Sequence, residues 1–180
     1  MVRHEKRLSV VELAITCWGV LGVVILVGQA LLRLVPLAVE PIQKDQLNTW
    51  QWGLFVGWGL FNAYAEGYRG FHKAFSPRVV ARAFHLARHP RPLHVLFAPL
   101  FCMALFHARR KNLVIAWTLC SFIVLAIVAI RRLPQPWRGI VDVGVVTGLS
   151  VGLLSLLFFF VQALRGSVPH TDSLPAREVS

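Results

Sequence analysis

Glu66 is the first residue to consider for chemistry, because it ends an uncharged run from Trp50 to Ala65 and has Asn62, Tyr64 and Arg69 around it. A carboxylate in an apolar helix is costly unless paired, and such groups mark proton, ion or headgroup pathways. Arg69 lies three residues on, so a helical ion pair is the competing structural explanation. Asp142 poses the same choice with Arg138, four residues earlier, and also lies near a helix start, where the macrodipole favours a carboxylate.

The seven histidines offer less. Five of them, His72, His85, His89, His94 and His107, fall in one stretch. His85 and His89 have the four-residue spacing that turns two imidazoles to one helical face, which suits a metal. No carboxylate or cysteine nearby completes a ligand set, and the face is basic. His72, His94 and His107 could reach a haem from different helices, but paired histidines on two long spans are missing. No metal and no cofactor is expected. Cys17, Cys102 and Cys120 sit in apolar runs as packing residues, and no hydrolase, Walker or dinucleotide pattern occurs. No residue is assigned to catalysis.

Glycine gives the most regular signal. Gly144, Gly148 and Gly152 recur every four residues, and Gly53, Gly57, Gly59, Ala63 and Gly67 line another apolar run. Small residues at this spacing let helix backbones approach closely in lipid, so the two helices are expected to pack together, within one chain or between two copies.

The elements that must hold these residues are membrane helices. Hydrophobic residues make up 56% of the 180 and charged ones 15%, with a mean hydropathy of +0.62. The apolar residues gather into runs long enough to cross a bilayer, which excludes an ordinary soluble domain. Nineteen Lys and Arg against eight Asp and Glu give a charge of +11. In such a chain that charge points to anionic lipid headgroups and away from nucleic acid.

Spans are expected near residues 9–35, 50–71, 113–130 and 139–164, with 93–108 a short span or a re-entrant segment and 166–180 a flexible tail. The first keeps its place as a retained span, its basic start Arg3, His4, Lys6 and Arg7 cytoplasmic. Pro36 and Pro41 should break the pattern after it. Ser76 and Pro77 look like the N-cap and first turn of a helix that Pro90 stops. That helix would carry Arg78, Arg82, His85, Arg88 and His89 on one side and Val79, Val80, Ala83, Phe84 and Ala87 on the other, a basic amphipathic helix on the membrane surface.

Segment 93–108 decides the topology. Five spans place twelve Lys and Arg inside and seven outside; four spans place fourteen inside and five outside. Positive-inside bias therefore prefers four, and hydropathy alone five. With five, Glu66 and Asp142 share a face; with four they do not.

The sequence thus describes an all-α integral membrane protein: a bundle of four or five transmembrane helices with one basic amphipathic interfacial helix, expected in a bacterial inner membrane. It reads as a non-enzymatic, interaction-type protein. Its partners would be anionic lipid, through Arg69, Arg78, Arg82, Arg88 and Arg91, or a membrane protein or second copy, through its glycine faces. The alternative is a small transporter or lipid-headgroup-modifying enzyme using Glu66 and Arg69 at the cytoplasmic face.

Overall fold

A computed structural model describes residues 9–106 and 110–169. The basic N-terminal cluster, His107 and the far end of the tail lie outside the described residues. Among those described the chain is helical throughout, with no strand. Three helices are long and apolar enough to cross a membrane: Val10–Gln43, Leu113–Ile130 and Trp137–Leu164.

Helix α1 (Val10–Gln43) begins at a capping box, in which the Ser9 hydroxyl accepts from the Glu12 amide and the Glu12 carboxylate accepts from the Ser9 amide. It does not stop at Pro36 or Pro41 but runs through both. Proline at 41 removes the N–H that would bond the Leu37 carbonyl. Gln135, far along the chain, supplies a replacement: its Nε2 donates to that carbonyl at 3.3 Å and to Glu40 Oε2 at 2.9 Å. The expected break thus becomes the place where α1 and the loop before the last helix are joined.

A second reciprocal cap, Asn48 with Gln51, starts α2 (Thr49–Asn62). The chain then stays helical through a π-helix (Ala63–Phe75) and α3 (Ser76–Arg88). Ser76 is therefore no N-cap: helix already precedes it, and its hydroxyl is buried without a hydrogen-bond partner. Two five-residue helices follow, α4 (Pro92–Leu96) and α5 (Ala98–Cys102), and then α6 (Arg110–Ile130) and α7 (Trp137–Leu164).

Helices α1, α2–π–α3 and α7 form the packed unit. Pro41 and Trp50 meet the start of α7 at Gly139 and Trp137, while Ile15, Phe84 and Ala163 share a core at the other end. So α1 runs antiparallel to the other two, and α7 touches all of them. Helix α6 is almost wholly exposed, and Trp117 Nε1 donates to the Leu105 carbonyl at 3.1 Å near its start.

The described part of segment 93–108 is no continuous helix. It breaks at Phe97 and turns at Ala104, where φ is 62°. Gly19 and Gly22 of α1 admit it, since a Cβ at Gly22 would collide with Pro99 and one at Gly19 would lie 3.0 Å from Cys102 Sγ.

Candidate functional site

The glycines of α7 face α2 and the π-helix. A Cβ on Gly144 would strike the Trp58 indole and the Asn62 amide; on Gly148 it would sit 3.0 Å from Glu66 Oε2; on Gly152, 2.5 Å from the Phe71 ring. The fit is reciprocal, because a Cβ on Gly67 would meet Val151 at 2.6 Å. Thr147 Oγ1 lies 2.9 Å from the carbonyls of Val143 and Gly144 in its own helix and of Gly59 across the seam, one proton shared among three acceptors. Asn62 is buried and donates to the Trp58 carbonyl at 2.9 Å. Gly53 and Gly57 lie off the seam, with open space where a Cβ would stand.

The π-helix sets the register of the ionisable groups. Its i→i+5 bonds widen each turn, so residues four and five apart stack while those three apart turn away from each other. Tyr64, Tyr68 and His72 accordingly stack in a column at 5.9 and 5.5 Å between ring centroids, with Lys73 Nζ 4.8 Å from the Tyr68 ring. His72 Nδ1 lies 2.9 Å from Ser155 Oγ on α7. For the same reason Glu66 and Arg69, placed together by ordinary helical spacing, form no ion pair. Among the described residues Glu66 has no hydrogen bond, and it lies opposite Gly148, near the middle of α7.

Asp142 is elsewhere. It is 2% exposed, and Arg138 Nε lies 3.6 Å from its Oδ2, both atoms buried without a hydrogen bond. It sits six residues, about 9 Å along the helix, from Gly148. Glu66 and Asp142 therefore do not build one carboxylate site.

Helix α3 departs from the one-sided surface helix that its sequence suggests. Val79, Val80, Ala83, Phe84 and Ala87 are buried, and so are Ala81, Arg82 and Leu86, because α1, α5 and α7 close around it. Arg82 is fully enclosed: Nε donates to the Phe101 carbonyl at 2.7 Å, Nη2 to the Phe106 carbonyl at 3.2 Å, and Cζ lies 4.1 Å from the Phe101 ring centroid. Burial lowers its guanidinium to about 10, so it stays charged at neutral pH. Trp18 Nε1 bonds the Val95 carbonyl at 3.1 Å. Arg82, Trp18 and Trp117 thus supply side-chain donors to backbone carbonyls of the broken segment, as irregular backbone away from water requires.

Of the other arginines Arg78 is half-buried, and Arg69, Arg88 and Arg91 are exposed. Burial and then the neighbouring His89, Arg82 and Arg88 push His85 down, so its ring is neutral at pH 7. His94 stacks on Phe101 at 5.1 Å, away from His72 on Ser155. No group of three metal-ligating side chains occurs among the described residues.

Charge divides unevenly between the two ends. Lys73, Arg78, Arg88, Arg91, Arg110 and Arg165 gather at the α3 end, where Glu12 is the acid among the described residues. At the opposite end Lys44, Arg131, Arg132 and Arg138 are offset by Glu40, Asp45 and Asp142. The enclosure of Arg82 and the roles of Gly19, Gly22, Gln135 and Ser155 are not apparent from sequence; only the three-residue spacing of Gly19 and Gly22 hints at one of them. Comparison with protein-family models, curated proteins and solved structures gives no match.

Proposed function

We propose that the chain is a four-span integral membrane protein of interaction type, whose α3 end faces an anionic leaflet and holds lipid headgroups there. The observation that carries this is the charge asymmetry between the two ends of the bundle. Positive loops face the cytoplasm, and anionic lipid is attracted to basic residues at about 1 kcal/mol each near the surface. The α3 end is then cytoplasmic, which suits a bacterial inner membrane and a cytoplasmic N-terminus.

In this arrangement α1, α2 with the π-helix, α6 and α7 cross the bilayer. The segment from Arg91 to Phe106 enters from the α3 end and returns to it, several of its carbonyls bonded by Arg82, Trp18 and Trp117. The turn of Arg69 away from Glu66 works against a headgroup site shared by the two, so lipid binding without chemistry is favoured.

Topology is tested with single cysteines in a background lacking Cys17, Cys102 and Cys120. Cysteines at Arg88 and Arg110 should react with a membrane-impermeant maleimide from the same side, and one at Arg132 from the other. Opposite sides for Arg88 and Arg110 would mean that residues 93–108 cross the membrane, and the four-span proposal would fall. Lipid binding is tested by native mass spectrometry of the full chain from nanodiscs of mixed phosphatidylglycerol and phosphatidylcholine. The wild type should retain phosphatidylglycerol, and Arg78→Glu with Arg88→Glu should reduce that retention several-fold. Equal retention of both lipids by the wild type would refute headgroup selection.

A further inference from the structure

We propose that Glu66 is a proton-binding site inside the membrane: a carboxyl that holds its proton at neutral pH at the centre of the seam between the π-helix and α7. The inference rests on the proposal that α2 and the π-helix cross the bilayer. Three observations converge on it.

The first is depth. Glu66 lies against Gly148, near the middle of a 28-residue helix that is about 42 Å long. Both ends of that helix are therefore far from it.

The second is the lack of a counter-charge. Across the seam, α7 has no titratable side chain from Val143 to Leu164, and Asp142 is about 9 Å further along. Helix α2 has none from Thr49 to Asn62. On its own element the neighbours are Tyr64, Tyr68, Arg69, His72 and Lys73. The wide turn carries Arg69 off the Glu66 face, His72 bonds Ser155, and Lys73 lies over the Tyr68 ring.

The third is access. Glu66 is enclosed by α7 on one side only and remains exposed on the other. In a bilayer that open side meets lipid, where an ionised carboxylate without a partner costs several kcal/mol and neutralisation is the less costly state. Glycine at 148 makes room for the carboxyl, because any larger side chain there would displace it.

Carbodiimide labelling of the full chain in liposomes tests this. A protonated carboxyl adds through oxygen to the central carbon of the N=C=N unit and passes its proton to one nitrogen. The O-acylisourea then rearranges to an N-acylurea, so the whole reagent is retained and nothing leaves. Dicyclohexylcarbodiimide, which partitions into lipid, should modify Glu66 at pH 7 nearly as well as at pH 5, with the site read by peptide mapping. A water-soluble carbodiimide should not modify it, Glu66→Gln should abolish the adduct, and Asp142→Asn should leave it. An ordinary glutamate would instead lose roughly 80-fold in protonated fraction between pH 5 and pH 7.

Modification by the lipid-soluble reagent at pH 5 alone would overturn the proposal, since the carboxyl would then titrate normally. Modification by neither reagent in a folded sample would overturn it too, leaving a charged, paired group and the span intact. Ready modification by the water-soluble reagent would put Glu66 in water, and the second span would fall with the proton site.

Discussion

Arg82→Leu is expected to lower the unfolding temperature of the detergent-solubilised protein by roughly 10 °C. The guanidinium donates to the carbonyls of Phe101, which is buried and also accepts from the Ala104 amide, and of Phe106, which is half-buried. Leucine fills much of the space and supplies no donor, so each carbonyl loses a hydrogen bond from a charged group, worth about 1.5–3 kcal/mol. Loss of the cation–π contact with Phe101 adds to this. Arg82→Lys should fall between the two, because an ammonium keeps the charge but cannot reach two carbonyls with a planar fork. Arg78→Leu, at a half-buried position, should cost far less. Differential scanning fluorimetry of the three variants would check the ranking. An Arg82→Leu protein as stable as wild type would mean that the broken segment is held by something other than this side chain.

Leucine on the α7 seam is expected to be nearly as damaging. At Gly152 the added Cβ alone would stand 2.5 Å from the Phe71 ring, and at Gly144 it would meet the Trp58 indole. Overpacking of this kind costs about 1–3 kcal/mol even where neighbours can shift. Here the neighbours are rigid rings on a helix that α7 itself positions. Gly152→Leu and Gly144→Leu should therefore elute from size exclusion as broadened or aggregated species with lowered unfolding temperatures. Gly57→Leu should behave as wild type, because open space surrounds that position. If Gly57→Leu were more damaging than the two seam variants, the glycines off the seam would be making a contact between chains that the single chain does not contain.

The sequence made part of this architecture legible. Apolar runs marked the long helices, and the four-residue glycine period on α7 is the face that meets α2 and the π-helix. The period on the other helix is less faithful. Gly59 and Gly67 sit on the seam and Gly53 and Gly57 do not, because those two lie on the face of α2 away from its buried row, Gln51, Phe55, Gly59 and Asn62.

Three features were hidden for distinct physical reasons. Pro36 and Pro41 look like helix breakers locally, yet the carbonyl freed at Leu37 finds a donor on Gln135, nearly a hundred residues away. The π-helix has no composition of its own, so the 3.6-residue period placed Arg69 beside Glu66 when the wider turn sends it elsewhere. Arg82 falls on the basic side of a helical wheel and in isolation would face water. Only the carbonyls of a segment twenty residues on make the interior the better place for it. In each case a non-local hydrogen bond, or a change in helical pitch that local spacing does not encode, overrode the short-range pattern.

The central position of α7 also carries a consequence for biosynthesis. A chain emerges from the ribosome N-terminus first, so α1 and α2–π–α3 are made well before the helix that touches all of them. Until α7 follows, Trp58, Glu66 and Phe71 lack the glycine face against which they rest. Helix α6 makes only slight contact with the packed unit and is made immediately before α7. The bundle is thus keyed by its final helix, and a nascent chain truncated before Trp137 would leave the faces of Trp58, Glu66 and Phe71 uncovered.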